Sequence, residues 1–242
     1  MTNQLLTEQQ LLEGLAEGSF EVSGQFVYGS NYTFLVEIEW SGQRFEAVYK
    51  PTEGERPLWD FPHGSLAQRE VAAYEVCRAL GWDYVPPTVL RREGPAGPGS
   101  LQHYVKLDPE RHYFNMTDQE RSRLKPIALF DALVNNADRK GGHVLLGPDD
   151  HIWLIDHGLC FHHEYKLRTV IWDFAGQAIP GDLIQKVKNL LPKLGQGSLA
   201  QRLNILLTPQ EIEALSQRAK NLLATGVYPS PGEERHYPWP LV

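Results

Sequence analysis

The sequence predicts an α+β chain of two lobes with a cleft between them: an antiparallel sheet unit with one helix over residues 1–105, then a mainly helical unit carrying one short hairpin over residues 106–242. Three observations carry this. Residues 19–50 alternate apolar and polar side chains with the period of two that a half-buried strand imposes. From about residue 106 the apolar positions recur at helical spacing instead. Within that helical half, "HVLLGPDDHIWLID" (143–156) reads as strand, turn and strand.

Taken in order, "EQQLLEGLAEG" is a short amphipathic start, and "EVSGQFVYG" a first strand leading through Gly29, Ser30 and Asn31. Phe34, Val36, Ile38 and Trp40 form one side of the next strand. A two-residue turn at Ser41-Gly42 returns the chain through Phe45, Ala47 and Tyr49. "PTEGERPLWDFPHG" is a loop, and Ser65-x-x-Gln68 has the capping-box form that opens the helix "LAQREVAAYEVCRALG", closed by Gly81. "YVPPTVL" and "SLQHYVKL" are two further strands around the Gly/Pro loop "RREGPAGPG".

In the helical half, Thr117 and Glu120 cap a segment running through "RLKPIALFDALVNN", bent near Pro126 because proline removes an intrahelical hydrogen bond. After the hairpin come helices near 181–193 and 198–206, and one from Pro209 to Thr225 with Thr208 and Glu211 as its cap and Gly226 as its stop. The Pro-rich "YPSPGEERHYPWPLV" wraps a surface. There is no internal repeat.

A balance of 23 Lys+Arg against 30 Asp+Glu argues against a broad nucleic-acid or anionic-membrane footprint. The two cysteines, Cys77 and Cys160, form neither a disulfide framework nor a zinc knuckle. With no basic-then-apolar leader pattern and no run of membrane-span length, the expectation is a cytoplasmic chain without stable membrane association.

Five residues carry chemistry. Lys50 ends the third strand on the face of Glu46 and Val48. Glu70 shares a helix face with Leu66, Ala73, Cys77 and Leu80, and a carboxylate on an apolar stripe requires a cation or donor. Lys50 is the nearest upstream partner, and a strand lysine paired to a helix glutamate aims an ammonium at nucleotide phosphates. In "NNADRKGGH", Asp138 and His143 sit in a loop between rigid elements; Asp156 follows the second hairpin strand. Antiparallel pairing brings His143 and Asp156 to one edge as a metal clamp, with Asp138 a short reach away.

These residues resemble the motifs of the phosphatidylinositol 3- and 4-kinase-like and HipA-like atypical kinases, where "DRHxxN" and "DxG" flank a hairpin. More closely, "VYKPTEGERPLWDFP", "REVAAYEV", "VPPTVL", "NNADRKGGH" and "KLRTVIW" resemble, over nearly the whole chain, a bacterial family similar to a region of those lipid kinases. The resemblance implies a bilobal protein-kinase-like fold that uses ATP with Mg²⁺ or Mn²⁺. It implies Lys50 on the phosphates with Glu70 as its partner, Asp138 as catalytic carboxylate and Asp156 as metal ligand. Gly29, Ser30 and Asn31 would stand in the phosphate-covering loop, and Gln102, His103, Tyr104 and Val105 along the adenine edge.

Two departures matter: "DRK" replaces "DRH", and His143 stands at the metal-binding Asn position, which favours a softer ion such as Mn²⁺. Lys166 and Arg168 are available to hold a phosphate or carboxylate of the acceptor. His162, His163 and Glu164 are rejected as a metal centre because adjacent side chains on a regular element diverge. The expected activity is phosphate transfer to a hydroxyl of a protein or small polar molecule. A nucleotide-binding pseudokinase and an AMP transferase stay open beside it.

Overall fold

The computed structural model describes residues 6–26, 31–233 and 235–242. Thr7 opens helix α1 (Glu8–Glu17) through a reciprocal capping box with Gln10. Strands β1 (Ser19–Phe26), β2 (Thr33–Trp40) and β3 (Gln43–Pro51) follow, then helix α2 (Leu66–Ala79) and strands β4 (Thr88–Arg91) and β5 (Gly99–His103). All neighbours in the sheet are antiparallel, in the order β1-β2-β3-β5-β4. The β2–β3 turn is where the alternation places it. Ser41 (φ 50°) and Gly42 (φ 73°) both adopt positive φ, the geometry that matches the twist of the flanking strands. On the inner face Val36, Ile38, Ala47, Tyr49 and Leu101 are fully buried with Leu15 of α1.

Helix α2 packs against β4 and β5 and against a helix of the second half, so it is buried nearly all round. Its N-terminus corrects the expected capping box. Ser65 donates its hydroxyl to the Pro62 carbonyl, and Glu55 Oε1 instead accepts the first two free amides, from Leu66 (3.0 Å) and Ala67 (3.1 Å). Ten residues of loop separate Glu55 from the helix it caps, a distance local pattern does not read.

The second half holds α3 (Asp118–Ser122), α4 (Lys125–Val134), the hairpin β6 (Val144–Leu146) and β7 (Ile152–Leu154), and helices α5 (Gly181–Gly195), α6 (Gly197–Leu206) and α7 (Pro209–Thr225). The single bent helix expected around Pro126 is two helices. Pro126 lies in the first turn of α4, where the missing amide costs nothing. The caps at Thr117/Glu120 and Thr208/Glu211 form as the sequence indicates, and Gly226 ends α7 at φ 65°. Of the two later sheet strands, β4 begins only at Thr88, because Pro86 and Pro87 have no amide to pair. Strand β5 ends at His103, although the Tyr104 amide still reaches the Glu46 carbonyl of β3 at 3.0 Å.

Two ion pairs tie α2 to the helical half. Arg69, 1% exposed, pairs with Glu211 at the start of α7 and donates to the Cys160 carbonyl. Glu75 meets Arg202 of α6 at 2.7 Å. Cys77 and Cys160 are both buried free thiols. No helix among the described residues is long and apolar enough to cross a membrane.

Candidate active site

Lys50 is carried to the cleft by β3, opposite Ser100 of β5. Its Nζ lies 2.5 Å from Glu70 Oε1 and 3.1 Å from Asp156 Oδ1. Burial works against the ammonium, but the carboxylates of Asp156 and Glu70 outweigh it and hold the lysine pKa above its usual range. Glu70 is 2% exposed, and its second oxygen accepts the His157 amide at 2.9 Å. One carboxylate on α2 therefore fixes both the lysine and the turn after β7.

Asp156 terminates the β7 segment at φ +60°, a left-handed conformation that Asp tolerates better than most side chains. The Lys50 ammonium above all holds its carboxyl well below the usual carboxylate range. His143 Nε2 is 3.4 Å from Asp156 Oδ2. On its other side the ring's Nδ1 faces the Lys140 amide, a donor, at 3.5 Å. With a donor facing Nδ1, a neutral ring keeps its proton on Nε2, the nitrogen nearer Asp156. Burial pushes the His143 pKa down to about 4, so the ring is neutral near pH 7.

The loop before the hairpin is built from the inside. Asn135 ends α4 at φ 55°, and Asn136 Oδ1 accepts the Asp138 amide at 3.0 Å in an Asx turn. Between them and the hairpin sits Arg139, fully buried. Its guanidinium meets Asp131 and donates to the carbonyls of His143 (3.3 Å) and Ile155 (2.9 Å). It also donates to His157 Nε2 at 2.8 Å, which leaves the His157 proton on Nδ1, 3.9 Å from Glu70. Arg139 thereby joins the Asp138 loop, the His143 end of the hairpin and the Asp156 end. Sequence reasoning passed over both Arg139 and His157. The signal was an arginine between a catalytic-type Asp and a glycine pair, which burial alone makes meaningful.

Asp138 points into the cleft with its side chain 26% exposed, 3.5 Å from Lys140 Nζ. Burial raises its pKa to about 6, with Lys140 opposing and Asp156 reinforcing the shift. Two cavities meet at Lys50, Thr33 and Asp156. The smaller, about 150 Å³, is lined by Asn31, Arg56, Glu70, Asp138 and Leu159 among others. The larger, about 560 Å³, is more apolar and is lined by Val48, Gln102, His103, Tyr104, Val105, Leu145 and Ile155 among others.

The expected phosphate-loop residues Gly29 and Ser30 lie outside the described residues; Asn31 lines the smaller cavity, its Oδ1 accepting the Arg56 amide at 2.7 Å. The four residues expected along an adenine edge, Gln102, His103, Tyr104 and Val105, all line the larger cavity. The amides of His103 and Tyr104 are spent on the carbonyls of Pro87 (2.8 Å) and Glu46 (3.0 Å), and Gln102 Nε2 is spent on Thr88 (2.9 Å). Val105 is not among these donors. Lys166 is committed elsewhere too, to Asp60 at 3.2 Å and Glu164 at 3.5 Å. The rings of His162 and His163 do not diverge: they stack at 4.5 Å, because the segment is no regular element, and His162 Nε2 lies 2.8 Å from the Asp60 carbonyl.

Among the described residues no group of three or more His, Cys, Asp or Glu could hold a metal by itself. A divalent ion held by one or two carboxylates and completed by phosphate oxygens does not need one. The Asp156 carboxylate, with Asp138 across the smaller cavity, supplies hard oxygen donors of that type. His143 fits less well, since the donor facing Nδ1 leaves the ring proton on Nε2, the nitrogen nearer the carboxylate.

An antiparallel sheet flanked by α1 and α2, a hairpin-bearing helical half, and the candidate site between them make a kinase-like fold. Comparison with solved structures agrees. The Golgi casein kinase with Mn/ADP bound superposes at TM-score 0.61 over 90% of this chain and 75% of that one, at 15% identity. The Helicobacter pylori proinflammatory kinase CtkA superposes at 0.55 over 88% of this chain and 94% of that one, at 10% identity. The chain belongs to the family of protein Rv2133c of Mycobacterium tuberculosis, to which it is 42% identical over 93% of each chain. It is also 30% identical, over 57% of its length, to phosphatidylinositol 4-kinase gamma 4 of Oryza sativa, and 26% identical, over 75%, to phosphatidylinositol 4-kinase gamma 3 of Arabidopsis thaliana. It covers only 31% and 40% of these plant proteins. No protein-family model matches the chain.

Proposed function

We propose that this protein is an ATP-dependent phosphotransferase acting on a hydroxyl of a protein or small polar molecule, with residues 1–105 as its nucleotide lobe and 106–242 as its catalytic lobe. The observation that carries the reading is the chain of contacts Glu70–Lys50–Asp156–His143, set where a polar cavity and an apolar one meet. The apolar cavity suits a base and the polar one the terminal phosphate. Lys50 bridges them as a phosphate ligand that stays protonated. Asp138, on the polar side, receives or orients the acceptor proton. Its pKa of about 6 suits a base working near neutrality.

Asp156, with Asp138 nearby, would hold Mg²⁺ or Mn²⁺. When bound, the ion neutralises charge developing on the phosphates. Lys50 engages the Asp156 carboxylate at 3.1 Å, so a phosphate that draws Lys50 toward itself would free that carboxylate for the ion. Transfer of label from terminal-phosphate-labelled ATP, abolished in Asp138→Asn and Asp156→Asn, tests the reading. Label arriving from adenine-labelled ATP instead would identify AMP transfer. A pseudokinase is the second reading, favoured by the His143 Nε2 proton at the position of the expected ligand. It predicts nucleotide binding without turnover.

A further inference from the structure

Residues 235–242 lie beside the Asp138 loop and end at the larger cavity. The His236 carbonyl accepts the Thr169 amide and the Trp172 indole N–H, each at 3.2 Å. The Leu241 carbonyl accepts the Gly141 amide at 2.7 Å. Both anchors flank the Asp138 loop, because the backbone at Arg168 and Val170 is itself bonded to Asn136 and Arg139. At one end Arg235 adds positive charge to the field at Asp138. At the other, Val242 lines the larger cavity together with Val48, Val105, Leu145 and Ile155.

The glycine pair of "DRKGGH" lies against this path. A Cβ on Gly141 would stand 2.5 Å from the Phe114 ring and 3.5 Å from the Leu241 carbonyl. The close contact is with the Phe114 ring, which glycine alone admits without a shift, while the Leu241 carbonyl is at ordinary van der Waals distance. A Cβ on Gly142 would be in ordinary contact with Val242, at 3.7 Å. Pro238 and Pro240 restrict the backbone before folding and so reduce the entropy lost in laying the segment down.

With Val242 in place the cavity still measures about 560 Å³, inside the range of about 300–1,000 Å³ typical of cofactor sites. The segment is therefore a wall and leaves the pocket open. We propose that Val242, positioned by the Leu241–Gly141 hydrogen bond, is a specificity-determining residue of the base end of a nucleotide site, packing its isopropyl group against a purine. This rests on the nucleotide reading of the larger cavity and adds to it the surface that limits what the base may carry.

The test uses the full chain with Val242→Trp, Val242→Gly and, as a control on an exposed face of α6, Ile205→Trp. Val242 is 60% exposed and Ile205 76% exposed, so none of the three should disturb folding; thermal stability without ligand checks this. Calorimetric titration then measures ATP and an ATP analogue with a bulky N6 substituent. The expected result is at least tenfold weaker ATP binding by Val242→Trp, analogue binding by Val242→Gly at least fivefold tighter than wild type, and wild-type behaviour of Ile205→Trp. Wild-type affinities for both ligands in both Val242 variants overturn the inference while leaving the nucleotide reading intact. Failure of the wild type itself to bind ATP overturns both.

Discussion

Glu70 and Asp156 both contact Lys50, yet their removal should cost very different amounts. Glu70 is 2% exposed and holds two partners, Lys50 Nζ and the His157 amide. Breaking a buried pair by deleting one member typically costs about 3–5 kcal/mol, and an orphaned buried amide about 1–3 kcal/mol. Lys50 keeps Asp156 in a Glu70→Ala variant, which moderates the first figure, so the expected total is about 3–5 kcal/mol. Asp156 has a half-exposed side chain, and pairs of that kind contribute about 0–1 kcal/mol. Asparagine also accepts its positive φ, so Asp156→Asn should cost below about 1 kcal/mol. Urea unfolding followed by tryptophan fluorescence reads the difference. For a slope near the top of the usual range of about 1–3 kcal/mol per molar, a 3 kcal/mol loss moves the midpoint by about 1 M. Equal midpoint shifts in the two variants, or a larger one for Asp156→Asn, would refute the assignment of Glu70 as the buried organiser of the site.

Other outcomes follow from the same geometry. If Asp138 acts as a base, turnover should rise with pH through about 6; Lys140→Ala removes the charge that lowers this pKa and should move the acidic limb of the pH profile upward, whereas an unmoved limb would show that another group titrates. His143, with its pKa lowered from 6.5 to about 4, takes up a proton more readily unfolded than folded, so its contribution to stability is lost as pH falls through that window. His143→Asn should flatten the stability–pH curve there, by at most about 3 kcal/mol at 1.36 kcal/mol per unit, and an unchanged slope would contradict a neutral buried ring. Arg139→Gln leaves Asp131 without its cation and frees both ends of the hairpin; it should cost about 3–5 kcal/mol, and a loss within 1 kcal/mol, read by urea midpoint, would mean that Arg139 does not hold the loop.

How much of this was legible in the sequence depended on how local each feature is. The Ser41-Gly42 turn, the Thr117 and Thr208 caps and the Gly226 stop are each decided within a few residues, and pattern reading placed them. Lys50 and Glu70 are 20 residues apart, yet an acidic residue on an apolar helix face announces that a cation must arrive, and it does. Arg69 gives no such notice. It sits beside Glu70 and looks like a surface residue of an ordinary helix, but its partner Glu211 lies 142 residues away. Glu55, whose loop returns it to the start of α2, is equally silent, and so Ser65 took its place in the reading. The stacked His162 and His163 rings were misjudged for a related reason: the rule that neighbours diverge belongs to regular elements, and that segment is none.

Whether Lys50 and Asp156 form a nucleotide–metal site is decided by thermal unfolding with ATP, with and without Mg²⁺ or Mn²⁺, in wild type, Lys50→Ala and Asp156→Asn. A ligand at one hundred times its dissociation constant stabilises the native state by about 2.7 kcal/mol. The account predicts a metal-dependent rise of that order in wild type, lost in both variants; no rise in wild type at saturating ATP and metal, or an equal rise in all three proteins, would contradict it.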